Sequence, residues 1–202
     1  MGGVVAKGGT VYKTAGGFIV KHAGEYFKVP KRFIKSQAKD GPRDVAKRIA
    51  KSGDDVSQFP KPKKMRNAYL GKTPGKLSGP GQKVAQRMAK KGELVDALGN
   101  PVDPDTFPKK IKKSDLDNYY VNDANGVPRP LSETHMGHHE DAVDYWNDRG
   151  HQRTPQQNRD FMTNDKNYSY EYGPDNTSKG GQQQGRYSDN DPVGGVTISP
   201  SL

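Results

Sequence analysis

The chain of 202 residues contains no cysteine. That excludes disulfides, a thiolate zinc site and a cysteine nucleophile, and it leaves the redox compartment open. Large apolar residues are also scarce. Leu, Ile, Val and Phe number 33 of 202, about 16%, below the roughly 20% at which disorder becomes common. With 24 Gly and 15 Pro as well, one modest core inside much irregular backbone is expected. Ten tyrosines offset part of the deficit, because the ring buries large area while its hydroxyl stays hydrogen-bonded. No run approaches the ~18 apolar residues of a membrane span. The N-terminus lacks the apolar segment of a signal peptide, so an exported product needs a lost upstream region or another machine to carry it.

Charge of one sign is in the minority in each half. Residues 1–113 carry 26 Lys/Arg against 9 Asp/Glu, and residues 114–202 carry 7 against 14. A basic lobe joined to an acidic, histidine-bearing lobe suits a protein that holds a polyanion and does metal chemistry on it. A basic linker fused to an acidic domain has the same balance.

Short alternating runs in residues 4–29, broken by Gly16-Gly17 and Ala23-Gly24, predict a small β meander. The spacing of Val45, Ala46 and Ile49 predicts an amphipathic helix over 42–52, with Asp40 as cap and Gly53 as stop. Its outer face carries Arg43, Lys47, Arg48 and Lys51. Residues 59–81 are dense in Pro, Gly and Lys and read as a loop or linker. A second helix is expected at about 82–91. Lys109, Lys110, Lys112 and Lys113 form the tightest basic cluster, a candidate nucleic-acid backbone contact. Tyr119-Tyr120-Val121 reads as a strand, Asn125-Gly126 as a turn. The linear division that follows is a basic region over 1–60, a linker over 61–81, a main domain over 82–180 and a flexible tail over 181–202.

Thr134–Gly181 holds four of the five histidines and the only tryptophan. An extended arm runs to His138. A helix over 140–149 follows, with Ala142, Val143, Tyr145 and Trp146 as its apolar stripe. Thr154-Pro155 opens another helix to Met162. Tyr168, Tyr170 and Tyr172 alternate as a strand, and Asp175 or Asn176 caps a last helix. The expected fold is therefore α+β, a small irregular domain in which two strands and a helix bracket one metal, the ββα-metal arrangement. There a strand-end histidine serves as general base and a helix side chain helps hold the ion. Trp146, Tyr145, Phe161 and Met162 read as core, His22 as structural and His151 as a loop residue.

Met136-Gly137-His138, Asp141-Ala142-Val143, Tyr145-Trp146-Asn147, Gly150, Pro155, Arg159, Phe161-Met162, Asp165, Asn167-Tyr168, Glu171 and Asn176-x-Ser178 together resemble the GH-E branch of the HNH/endonuclease VII superfamily. Lys72-Thr73-Pro74-Gly75-Lys76 and Arg87-Met88 resemble that family's upstream segment, and the likeness spans roughly residues 72–180. The family comprises nuclease toxin domains at the C-terminal ends of bacterial polymorphic toxins. The resemblance implies a metal-dependent endonuclease that cleaves DNA, with RNA as the open alternative. It further implies delivery into the cytoplasm of a competing cell and a cognate immunity protein. His138 matches the general base and is also a candidate metal ligand, Glu171 and Asn176 match the metal-binding positions or their supports, and Asn167 the residue that holds the loop or orients His138. Asp141 is a further candidate ligand and His139 a further candidate catalytic histidine. The implied cofactor is a divalent ion, Mg²⁺ first, with Mn²⁺ or Zn²⁺ as alternatives. Arg159 is a candidate phosphate contact. Gly137 stands where many members carry a metal-binding aspartate, so Glu171 or Asp141 must compensate. Two other classes fit the charge pattern: a non-catalytic nucleic-acid-binding module, and a structural or adaptor component of a secretion or phage system.

Overall fold

The computed structural model describes residues 9–182 and 185–199; expectations placed on residues 1–8, 183–184 and 200–202 lie outside the described residues. The elements run β1 (Thr10–Thr14), β2 (Gly17–His22), β3 (Glu25–Lys28), α1 (Pro42–Ser52), α2 (Met65–Tyr69), α3 (Gly79–Lys90), β4 (Tyr120–Asn122), β5 (Pro128–Pro130), β6 (Thr134–His138), α4 (Ala142–Asp148), α5 (Pro155–Thr163), β7 (Tyr168–Tyr172), α6 (Gly173–Gln182) and β8 (Val196–Thr197). The chain is α+β, and all strand pairs are antiparallel. Among the described residues no helix is long and apolar enough to cross a membrane.

The described residues divide into two compact units, and neither follows the linear division expected from composition. The first takes 9–72, 142–160 and 187–199; the second takes 73–141, 161–182 and 185–186. The Pro/Gly/Lys-rich stretch is thus not a simple linker. Within it α2 buries Tyr69, whose ring stacks on Trp146 of α4 at 4.1 Å between centroids and 5° between planes. That contact draws the helical excursion after β6 into the first unit. Both rings are fully buried, and an aromatic pair adds about 0.5–1.5 kcal/mol beyond its buried area.

In the first unit the meander forms as expected, in strand order β3-β2-β1-β8. Val11 and Val20 face α1 and meet Val45, Ala46 and Ile49 in one apolar cluster. The helix begins on Gly41, not Asp40. Asp44 accepts a hydrogen bond from the Gly41 N–H at 3.2 Å. Asp40 is instead buried, pairing with Arg48 at 2.9 Å and accepting from the Lys35 and Ser36 amides. The Arg48 hydrogen bonds, with those two amides, hold its carboxyl well below the usual range. Arg48 is therefore drawn off the basic outer face expected for this helix.

The flexible tail expected over 181–202 needs correction. Val196 and Thr197 pair with Val11 and Thr10, and Ile198 is buried in the same cluster as Val11. Asp191 accepts from Tyr12 at 3.1 Å and from Lys21 at 2.8 Å, and it also accepts from Tyr26. Burial, then the Asp191 charge, pushes the Tyr12 phenol up to about 12. Burial pushes the Asp191 carboxyl up, but the hydrogen bonds from Lys21, Tyr26 and Tyr12 outweigh it and leave the carboxyl below its ordinary value.

The second unit packs α3 through Val84, Ala85 and Met88 against Leu94, Ile111, Leu131, Met136, Tyr168 and Tyr170. The β4–β5 hairpin turns at Gly126, which has φ +80°. Lys76 donates to the carbonyls of Ser132 and Thr134 at 2.9 Å each, and also to that of Leu131. Tyr170 returns two contacts, donating to the Lys76 carbonyl at 3.1 Å and the Gly81 carbonyl at 2.9 Å. Helix α6 opens at Gly173, two residues before the expected cap.

Two expected outcomes test these anchors. Asp191→Ala lowers the urea midpoint of the first unit, read by Trp146 fluorescence, by about 1 kcal/mol of stability. Hydrogen bonds to a charged group are worth about 1.5–3 kcal/mol, less where solvent screens them. With a lowered folded pKa, that contribution is complete above about pH 4 and fades as pH falls through the lowered value. Lys76→Met costs about 2 kcal/mol through the carbonyls it strands, read as faster hydrogen exchange of the β6 amides.

Candidate functional site

Strands β6 and β7 pair so that His135 faces Glu171, Met136 faces Tyr170, Gly137 faces Ser169 and His138 faces Tyr168. Directly opposed residues share a face, and successive residues alternate between faces. One face therefore carries Thr134, Met136, His138, Tyr168 and Tyr170. It is the core side: Thr134, Met136, Tyr168 and Tyr170 are all buried. The other carries His135, Gly137, Ser169 and Glu171, with His139 continuing it.

The structure thus separates two residues that the sequence reading combined. His138 lies on the core face, its ring 4.7 Å from that of Tyr168, and its Nε2 atom is buried. Glu171 lies on the opposite face, with His135, Ser169 and His139. Its carboxylate is folded over Gly137: a Cβ built on that glycine would meet Glu171 Cδ at 2.4 Å and Oε1 at 2.7 Å. The place of a side chain at 137 is filled by the carboxylate from the next strand.

A chain of polar contacts crosses this outer face. His139 Nε2 is 3.2 Å from Ser169 Oγ. Ser169 donates to Glu171 Oε1 at 3.3 Å, and Lys179 of α6 pairs with Glu171 Oε2 at 3.0 Å. With its own proton directed to Glu171, Ser169 accepts from His139 Nε2–H, which makes Nδ1 the basic nitrogen of that ring. At the other end the Asn176 amide approaches His135 Nδ1 at 3.5 Å. His135 sits close on Gly173, where an added Cβ would come 3.3 Å from Nε2.

Asn167 is buried and works on the loop after β6. Its carbonyl oxygens accept from the His139 amide at 2.9 Å, through the backbone, and the Glu140 amide at 2.8 Å, through the side chain. Its Nδ2 donates to the Glu140 carbonyl at 3.2 Å. Asp141 stands three residues beyond β6 and is half-buried. Lys109, Lys110, Lys112 and Lys113 are exposed around buried Ile111. Gln82 clamps Ile111, donating to its carbonyl at 2.8 Å and accepting from its amide at 2.9 Å. Arg159 belongs to the first unit, where it lines a cleft of about 550 Å³ with Lys13, Gln37 and Thr154. His151 sits under Trp146, its Nδ1 2.9 Å from the Trp146 carbonyl.

Among the described residues no three of His, Asp and Glu converge on one point. A closed zinc cage of four protein ligands does not fit this donor set. One carboxylate in the cradle of Gly137, flanked by an imidazole and an amide, fits an open site. A Mg²⁺ ion that keeps most of its waters is held by one or two carboxylates together with a substrate phosphate. The candidate ligands His138 and Asp141 are not gathered with Glu171 in any such group.

His135 was missed as a candidate, although its signal was present in the sequence. Strict alternation from Thr134 sets His135, Gly137 and His139 on one side and Met136 and His138 on the other. Compared with protein families, curated proteins and solved structures, the chain matches none.

Gly137→Ala tests the cradle. The clash falls on a flexible side chain, and Gly137 has no left-handed backbone to preserve. The variant is expected to keep its stability within about 1 kcal/mol while displacing the Glu171 carboxylate, seen as a changed side-chain carboxyl signal of Glu171 in NMR. An unmoved Glu171 signal would count against the cradle.

Proposed function

We infer that this chain is a metal-dependent endonuclease of the nuclease toxin kind, with the outer face of β6 and β7 as its reaction surface. The observation that carries this reading is the Glu171 carboxylate folded onto Gly137, flanked along β6 by His135 and His139. Carboxylate, imidazoles and an ammonium on one exposed face beside a helix supply the groups that phosphodiester hydrolysis needs.

Glu171 would hold the ion, with His135 and Asn176 as further donors on the α6 side. The ion, when bound, supplies a Lewis acid that polarises the phosphate and steadies the leaving oxygen. His139 takes the proton of the attacking water at Nδ1, its Nε2–H being held by Ser169. Asn167 fixes the backbone at residues 139 and 140 and so aims that ring. Lys179, two-thirds exposed, supplies positive charge where the phosphate becomes more negative. His138 is a packing partner of Tyr168 in this reading, and the base role moves one residue along. Lys109, Lys110, Lys112, Lys113 and Arg159 would add sequence-independent contacts to the DNA backbone. The reading carries with it a divalent cofactor, a target-cell substrate and a cognate immunity protein.

A non-catalytic nucleic-acid-binding module is the second reading, favoured by the lack of three converging metal ligands among the described residues. It predicts a gel shift without cleavage.

A plasmid-nicking assay with Mg²⁺, Mn²⁺, Zn²⁺ or EDTA separates them. Wild type is expected to nick with metal and not with EDTA. His139→Ala and Glu171→Gln fall by about 10²- to 10⁴-fold, and His138→Ala by less than about tenfold. Cleavage untouched by EDTA, or by Glu171→Gln, would sink the mechanism. Loss with His138→Ala and survival with His139→Ala would return the base role to His138.

A further inference from the structure

A cleft of about 410 Å³ opens beside His139 in the second unit, lined by Arg87, Lys91, Glu93, His139, Ser169 and Tyr170 among others. No part of the chemistry above uses its cations. Arg87 points one arm of its guanidinium inward, donating from Nη2 to the Asp165 carbonyl at 3.3 Å and to that of Tyr168. Its Nε N–H is buried and has no hydrogen-bond partner among the described residues. A desolvated donor left unmatched is costly, and an anion drawn to the guanidinium relieves that cost. Lys91 lies 3.7 Å from Glu93, and both side chains are largely in solvent. So loose and exposed a pair binds weakly and exchanges readily for a better anion. The cleft is therefore cationic on balance, with a polar floor at Ser169.

We propose that this cleft is the seat of a nucleic-acid phosphodiester, with Arg87 and Lys91 binding its non-bridging oxygens and His139 at its rim. With Nη2 committed to backbone carbonyls, Arg87 offers phosphate the remaining arm of its guanidinium, and Lys91 a mobile point charge. The cleft continues the outer face past His139, so a backbone seated there runs toward Ser169 and Glu171. DNA and RNA share the recognised group, and the test carries one arm for each. The inference rests on the nuclease reading only for what happens to the phosphate after it is bound.

The experiment is fluorescence anisotropy of a labelled single strand of about 12 nucleotides, within the usual span of single-strand sites. The strand is prepared as DNA and as RNA and titrated in EDTA at several salt concentrations. Wild type, Arg87→Lys, Arg87→Met, Lys91→Met and His139→Ala are compared, each checked by thermal melting. Lys91→Met and Arg87→Met are expected to weaken binding about three- to tenfold and to flatten the salt dependence by about one counterion each. Arg87→Lys restores part of the loss. His139→Ala binds like wild type. In the nicking assay the two cation variants raise KM while kcat changes little, whereas His139→Ala lowers kcat. Because Arg87 also holds backbone carbonyls, Lys91→Met decides the matter if Arg87→Met melts early. Wild-type affinity in Lys91→Met for both strands overturns the proposal. If wild type cleaves nothing with any metal while Lys91-dependent binding persists, the nuclease reading fails and the phosphodiester cleft stands.

Discussion

The second unit depends on two cations doing the work of a missing ladder. The turn into β6 presents carbonyls at Leu131, Ser132 and Thr134, and Lys76 takes all three. The turn into β7 presents carbonyls at Asp165 and Tyr168, and Arg87 takes both. Backbone acceptors facing inward must find donors, and a two-stranded sheet supplies few. Lys76 stands just before α3 and Arg87 in its last turn, so one helix sets where both strands begin and hence their register. Burial lowers the Lys76 pKa, against the opposing pull of the Asp117 charge.

Fixing the register fixes the chemistry. A slip of one residue would exchange the faces of β6, sending His138 outward and His135 and His139 into the tyrosine layer. Gly137 is the position where this matters most. It leaves room for Glu171 to lie across β6, so a carboxylate from β7 serves where a side chain of β6 would otherwise stand. The aspartate absent from the sequence and the glutamate present in it are thus one spatial fact.

Much of this was legible in the sequence, but not the part that decides the site. Helix α1 matched its predicted span to the residue because three apolar positions and a glycine stop act locally. The tyrosine alternation marked β7 and its buried side. The same alternation over 134–139 sets His135 and His139 on one face and His138 on the other, whereas the family likeness makes His138 and Glu171 neighbours by role. Strand β8 was out of reach, since two paired residues leave no periodicity, and Asp191 finds Tyr12, Lys21 and Tyr26 only through the fold. The division into units was equally hidden. A stack between Tyr69 and Trp146 joins segments that composition assigns to a linker and to the main domain.

Strand β8 has a consequence for how the molecule is made. The β1 edge it covers is synthesised some 185 residues earlier, roughly 10–40 s at ribosomal speeds. Until then the first unit has an uncovered strand edge at β1, which carries Val11 and Tyr12. Such edges recruit other strands. The nascent chain therefore waits with its first sheet unfinished, and the interval before Val196 arrives is the one in which a chaperone or a second ribosome's product can reach it.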